Sequence, residues 1–162
     1  MQTSHFADLY QNQMIILEKS LTQSALSTQL IQNYLSAFYQ TDSHFGKMTL
    51  RIGQYCDILS RLMIGAKLTN ALFITACNPH SQLQCTPIND LLQIQLHKQL
   101  THYSPWIYPG ESIDPRNHWP AESSYLTLGI DLLHSIQIGI QFKQNAIVWC
   151  DVDAVPRLIL LR

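Results

Sequence analysis

Charge is what this chain has least of: Asp, Glu, Lys and Arg together make up 13% of 162 residues, about half the share usual in globular domains. Ten Lys and Arg stand against eleven Asp and Glu, a formal net charge of -1, and the basic residues form no run. Proteins that bind duplex nucleic acid neutralise its phosphates with clustered Lys and Arg, so nucleic acid is not an expected partner. Sparse charge also means weak repulsion between copies, which favours a protein partner or a homodimer. Long apolar runs are missing as well. Stretches such as MIIL at 14–17 and ALFITAC at 71–77 fall far short of the roughly 20 residues a bilayer-spanning helix needs, so no membrane association is expected. The opening MQTSHFADLYQNQ has no basic segment followed by an apolar one, which predicts no secretory signal and a cytoplasmic location. Glycine is scarce, and neither a P-loop nor a GxGxxG fingerprint can be found. The cysteines, Cys56, Cys77, Cys85 and Cys150, lie mostly in or beside apolar stretches and are expected to be reduced.

What is present is a patterned apolar framework, 46% of the chain, in a length that fits one domain burying roughly 70% of its unfolded surface. Phe6, Leu9, Tyr10, Met14 and Leu17 predict an amphipathic helix over 5–18 behind a Ser4 cap. A second helix is expected from about residue 22, with Leu26, Leu30, Tyr34 and Phe38 every four residues, Ile31 and Leu35 beside them, and the polar TDSH at 41–44 as its end. FGKMTLRI then reads as a short strand. Tyr55, Ile58, Leu59, Leu62 and Met63 share one helix face that Gly65 would terminate. A strand at 70–76 precedes a helix opening at Thr86-Pro87, with Ile88, Leu91, Leu92, Leu96 and Leu100 as its apolar face. The proline-rich YSPWIYPGESIDPRNHWP at 103–120 predicts the longest loop, with room for a short strand near Trp106. ESSYLTLGI is a strand, and Asp131 caps a helix burying Leu132, Leu133, Ile136 and Ile140. NAIVWC and RLILL, joined through Asp151 to Pro156, predict a closing hairpin.

Strands alternating with helices predict an α/β fold, with α+β as the alternative: a mixed sheet of five or six short strands packed with helices. The expected organisation is an N-terminal helical extension over 1–34, packed on a single domain over 35–162.

Three polar stretches interrupt this framework: Thr75-Ala-Cys-Asn78-Pro79, Trp119-Pro120-Ala-Glu122-Ser123, and Gln144-Asn145-Ala146. Together with Arg51-Ile52-Gly53 and the terminal RLILL, they resemble the bacterial family known as domain of unknown function 3293, whose pattern has an ITA-x-NP strand end, a W-x-x-E-S segment and an FxQNA strand. The resemblance spans about residues 35–162. Cys77 departs from it, standing where the pattern has an aromatic residue, and Lys143 is a second departure. The family brings no established activity, so the resemblance implies domain boundaries and a site without implying a reaction.

The residues themselves allow both functional and structural roles. In α/β folds ligand sites gather where strands end. Asn78, ahead of a proline that disfavours α geometry in its predecessor, is expected to be extended and to present a rigid amide; the alternative is a turn residue. Thr75 is either a ligand contact or an ordinary strand hydroxyl. Glu122, between a Trp-Pro corner and an apolar strand, is the candidate acid–base group, since partial burial raises a carboxyl pKa. Its alternative is a structural partner of Arg51 or Arg116, and Glu111 and Asp114 are rival acids. Gln144 and Asn145 can orient a ligand or close the preceding helix, with Asn145 near its C-cap. Trp106 and Trp119 are available to stack on a ring, and Ser123 completes the ligand-binding set. Cys77-x-x-His80 with Cys85 holds fragments of zinc spacing without a second close pair, so neither a metal nor a cofactor is expected. A Cys85–His118 dyad is open but unmotivated. Two functions follow: a site that binds, and by extension hydrolyses or transfers, a small polar nucleotide-like or sugar-like molecule, or a non-catalytic protein-interaction or regulatory domain.

Overall fold

The computed structural model describes residues 24–162; the helix expected over 5–18 lies outside them. Helix α1 spans Thr28–Ser36 and starts where the Ser27 side chain accepts a hydrogen bond from the Leu30 N–H at 3.2 Å. It is shorter than its apolar spacing predicted. Phe38 continues the four-residue rhythm, but Phe38–Ser43 is strand β1, with Tyr39 and Thr41 buried on alternate positions. Strand β2 follows over Gly46–Leu50, then helix α2 over Asp57–Ala66. Gly65 sits inside that helix; the stop is Lys67 at φ 58°, whose N–H returns to the carbonyls of Ile64 and Met63. Strand β3 covers Ala71–Ile74, a 3₁₀ turn Pro79–Ser81, and helix α3 Thr86–Leu100. Strand β4 (Ile107–Ile113), strand β5 (Glu122–Leu128), helix α4 (Leu132–Gln141), strand β6 (Ala146–Cys150) and strand β7 (Pro156–Leu160) complete the chain. Asp131 caps α4 as expected, accepting from the His134 N–H at 2.9 Å.

The fold is mixed α/β around one curled sheet of seven strands, in the order β2-β1-β4-β5-β3-β6-β7. Every ladder is antiparallel, so the sheet is not mixed as expected, and the strand beyond the expected count is β1. Strand β4 occupies the middle of the segment read as a long loop, despite Pro109 and Gly110. Its ladder with β1 ends at the Thr41–Gly110 pair, so Pro109, which has no N–H, is spared a bond on that side, and the Thr41 hydroxyl donates to the Pro109 carbonyl instead. Gly110 is required there: a Cβ would collide with the Gln40 carbonyl oxygen.

Alternation along the strands feeds two cores. Ala71 and Phe73 of β3, Leu126 and Leu128 of β5 and Leu158 of β7 pack with α1 and α2. Leu72 and Ile74 of β3, with Ile147 and Trp149 of β6, pack with α3 and α4. The buried faces of α3 and α4 differ from those expected. Gln93 takes an inward position on α3 while Ile88 and Leu91 are exposed, and on α4 Ser135, Ile138 and Gly139 turn inward while Leu133 and Ile140 face out. Small residues face inward on α4 because Leu161 and Ile147 already occupy the space beside Gly139. Among the described residues no helix is long and apolar enough to cross a membrane.

Candidate functional site

Beyond Ile74 strand β3 loses its ladder partners, and side chains replace them. The Thr75 hydroxyl donates to the Ser123 carbonyl at 2.7 Å and accepts from the Cys77 N–H at 3.0 Å. Gln93, brought inward on α3, accepts from the Ala76 N–H at 2.7 Å and donates to the same Ser123 carbonyl at 2.8 Å. Backbone groups that a buried chain cannot leave unpaired are thereby satisfied, and the end of β3 is locked to both α3 and β5.

Asn78 is not extended, as its place before proline predicted; it is left-handed, at φ 48° and ψ 61°. Asn tolerates this region better than other non-glycine residues, and four hydrogen bonds hold it there. Its N–H donates to Asn89 Oδ1 at 2.9 Å, its Oδ1 accepts from the Gln84 N–H at 2.8 Å and from Asn89 Nδ2 at 3.0 Å, and its Nδ2 donates to Glu122 Oε1 at 2.7 Å. His80 and Ser81 also have positive φ, 53° and 58°. Three such residues within four mark a segment held against its local preference, a pattern that concentrates at functional sites. Bonds from outside hold it: the His80 N–H donates to the Lys143 carbonyl at 2.7 Å, and Ser81 Oγ meets Tyr34 Oη and Asn145 Nδ2, each at 2.9 Å.

Glu122 opens β5. Its Oε1 accepts from Asn78 Nδ2 and from Trp119 Nε1, the latter at 3.0 Å. Among the described residues no donor reaches Oε2 and no cation pairs with the carboxyl. Burial pushes its pKa up, against the two hydrogen bonds that lower it. Neither arginine considered as its partner serves: Arg51 lies over the Phe38 ring, 4.8 Å from its centroid, and Arg116 is bound to Asp114 and Asn33.

These groups border a cavity of about 160 Å³ at the end of the sheet beneath α1. Thr75, Asn78, Trp119, Glu122 and Gln144 line it. Ser123 does not, because β5 alternates and sends Glu122 and Ser124 to the cavity instead. Asn145 stands behind the wall, bracing Ser81 and Tyr34, and is not a helix cap: α4 ends at Gln141 and its C-cap is Phe142. Gln144 donates to the carbonyls of Cys77 and Phe142 at 3.3 and 3.2 Å. Trp106 is outside the lining. Of the rival acids, Asp114 lines the cavity and Glu111 is exposed on β4. The backbone N–H of Arg116, then that of His118, and the Arg116 guanidinium hold the Asp114 carboxyl below its usual range.

Cys77 lines the cavity, but burial raises its thiol pKa and keeps it from acting as a ready nucleophile. His118 also lines the cavity; Cys85 is exposed at the start of α3, outside the lining. No cluster of three or more His, Cys, Asp or Glu is placed to hold a metal among the described residues. Several wall residues were not singled out by sequence. Tyr34 of α1, Tyr39 of β1 and Phe73 of β3 form an aromatic side, with Tyr39 edge-on to Phe73 at 5.4 Å. Their apolar spacing marks them equally well as core.

The model of the DUF3293 family, described as a protein of unknown function, matches residues 74–147. This central segment of the chain is similar to the DUF3293 family. The match takes in all three polar stretches and leaves Arg51-Ile52-Gly53 and RLILL outside, along with the α1 and β1 residues that line the cavity. No curated protein and no solved structure matches the chain significantly.

Proposed function

We propose that the cavity is a binding site for a small polar molecule of about the size of one sugar or nucleobase ring, and that Glu122 exchanges a proton with it. The observation that carries this reading is the Glu122 carboxyl on the cavity wall: one oxygen is fixed by two neutral donors, and among the described residues no donor reaches the other and no cation stands beside the group. A volume of about 160 Å³ is close to that of dry engineered cavities that accept benzene, so it admits one ring and not a whole nucleotide. A carboxyl whose pKa is raised is available near neutral pH both to protonate a leaving group and to accept a proton. Asp114 on the same wall, held ionised, supplies the opposite member of an acid–base pair.

Glu122→Gln tests this. The amide keeps an oxygen for Asn78 and Trp119, so the fold persists while proton exchange is lost. Because the folded-state pKa of Glu122 is raised, the native protein binds the extra proton, and Glu122 lowers stability as pH climbs from the unfolded toward the folded pKa. The variant is therefore expected to match or exceed the parent in Tm at pH 7 and to lose that advantage at pH 4. A variant that still turned over a substrate of the parent would remove the acid–base role.

A second reading, an interaction domain, has its own observation: Ile88, Leu91 and Ile94 leave an apolar stripe exposed along α3. It describes a different surface and does not account for the cavity.

A further inference from the structure

We propose that the cavity takes a small organic cation, a primary ammonium on a group no larger than one ring, with the ammonium seated on Glu122 Oε2. This rests on the cavity being a ligand site and adds the charge and shape of what enters. Among the described residues the wall carries two carboxyl groups, Asp114 and Glu122, and neither Lys nor Arg. Phosphates and carboxylates would meet repulsion from these carboxyl groups, so the wall disfavours anionic compounds. A partly buried carboxylate with only neutral donors lacks the counter-charge that such a group needs to stay ionised. Arg116, the nearest candidate in sequence, is already committed to Asp114 and Asn33. With no cation beside Glu122 among the described residues, the ligand is the source of the missing positive charge in this proposal. Tyr34, Tyr39, Phe73 and Trp119 line the same space, and aromatic faces attract cations, most strongly where water is excluded.

The hydrogen bonds also choose between cations. A guanidinium or amidinium binds a carboxylate through both oxygens at once. Oε1 is filled by Asn78 Nδ2 at 2.7 Å and Trp119 Nε1 at 3.0 Å, which leaves a single point of attachment and suits the compact ammonium.

Binding of this kind depends on pH, because the cation requires the ionised carboxyl. Besides Glu122 itself, the titratable groups around the cavity are Asp114 and His118 from the β4–β5 connection, Cys77 from the end of β3, Tyr34 from α1 and Tyr39 from β1. Burial raises the pKa of Cys77, Tyr34 and Tyr39, so they keep their protons through neutral pH. Affinity for the cation is expected to rise with pH through the raised pKa of Glu122 and then level off.

The test is calorimetric titration of the full chain with benzylammonium, benzyl alcohol, benzamidinium and benzoate between pH 5 and pH 8. The expected result at pH 8 is that benzylammonium binds roughly tenfold more tightly than benzyl alcohol, the effect of one charge-assisted contact, that benzamidinium gains nothing further, and that benzoate does not bind. The advantage of the amine should shrink toward pH 5 and disappear in Glu122→Gln, with benzyl alcohol still bound. Equal or tighter binding of the alcohol at pH 8 overturns the proposal and leaves the cavity reading standing; binding of none of the four overturns both. Tighter binding of benzamidinium, or an advantage of the amine over the alcohol at pH 8 that survives in Glu122→Gln, also overturns it. Should that variant fail to fold, the order of the four probes on the parent protein at pH 8 decides.

Discussion

Helices α1 and α2 lie against the same face of the sheet but are held there differently. Helix α2 sends Leu59, Leu62 and Met63 into the core, all essentially without solvent contact. Helix α1, nine residues long, buries Ile31 alone. Over the cavity it presents Leu30, Asn33 and Tyr34, and it is tied down by polar contacts: Tyr34 Oη with Ser81 Oγ, Tyr39 Oη to the Tyr34 carbonyl at 2.7 Å, and Asn33 with Arg116. Apolar burial is non-directional and fills space, whereas hydrogen bonds hold an element at fixed points and tolerate a gap between them. The void persists under α1 for that reason. An element with few buried contacts opens at lower free energy than its surroundings, so α1 is expected to open more readily than α2.

Three substitutions sharpen the contrast. The largest effect is expected from Leu59→Ala in α2, where a fully enclosed side chain leaves a hole: about 2–5 kcal/mol, seen as a fall in Tm on the order of 10 °C. Asn78→Ala comes next. It removes three side-chain hydrogen bonds and the residue type that accepts the left-handed backbone, for a loss of about 2–3 kcal/mol in denaturant unfolding. Tyr34→Phe is the smallest, about 1 kcal/mol for bonds that solvent can partly replace. Its effect should be local, with faster amide hydrogen exchange in α1 and unchanged exchange in α2. Uniformly faster exchange in both helices would show that they open as one unit and would break the comparison.

The sequence revealed the wall of the cavity better than its roof. Thr75, Asn78, Glu122 and Gln144 stood out because hydrogen-bonding residues interrupt apolar strands there, and all four reach the cavity. Ser123 and Asn145 were drawn in by adjacency, and the alternation of β5 sends Ser123 to the other face. The roof was hidden because Tyr34, Tyr39 and Phe73 have the spacing of core residues, and no linear pattern distinguishes a ring that covers a hole from one that fills it. Phe38 continued a helical rhythm by coincidence and concealed β1. The fold class was readable from alternation and caps; strand β4 was obscured by Pro109 and Gly110, whose places depend on what lies across the sheet. The conformation of Asn78 depends on Asn89 and Gln84, which local proline rules do not see.

The strand order also bears on how the molecule assembles in time. Three pairs, β1 with β2, β4 with β5, and β6 with β7, join neighbours in sequence and can close within microseconds as separate hairpins. Strand β3 has no such neighbour. Ala71 pairs with Leu128 on one side and Cys150 on the other, so β3 acquires its partners only after long stretches of chain have been brought together, the kind of contact that slows folding. The segment that ends in Thr75 and Asn78 is therefore expected to take its place late, with the cavity completed when the second and third hairpins meet across β3.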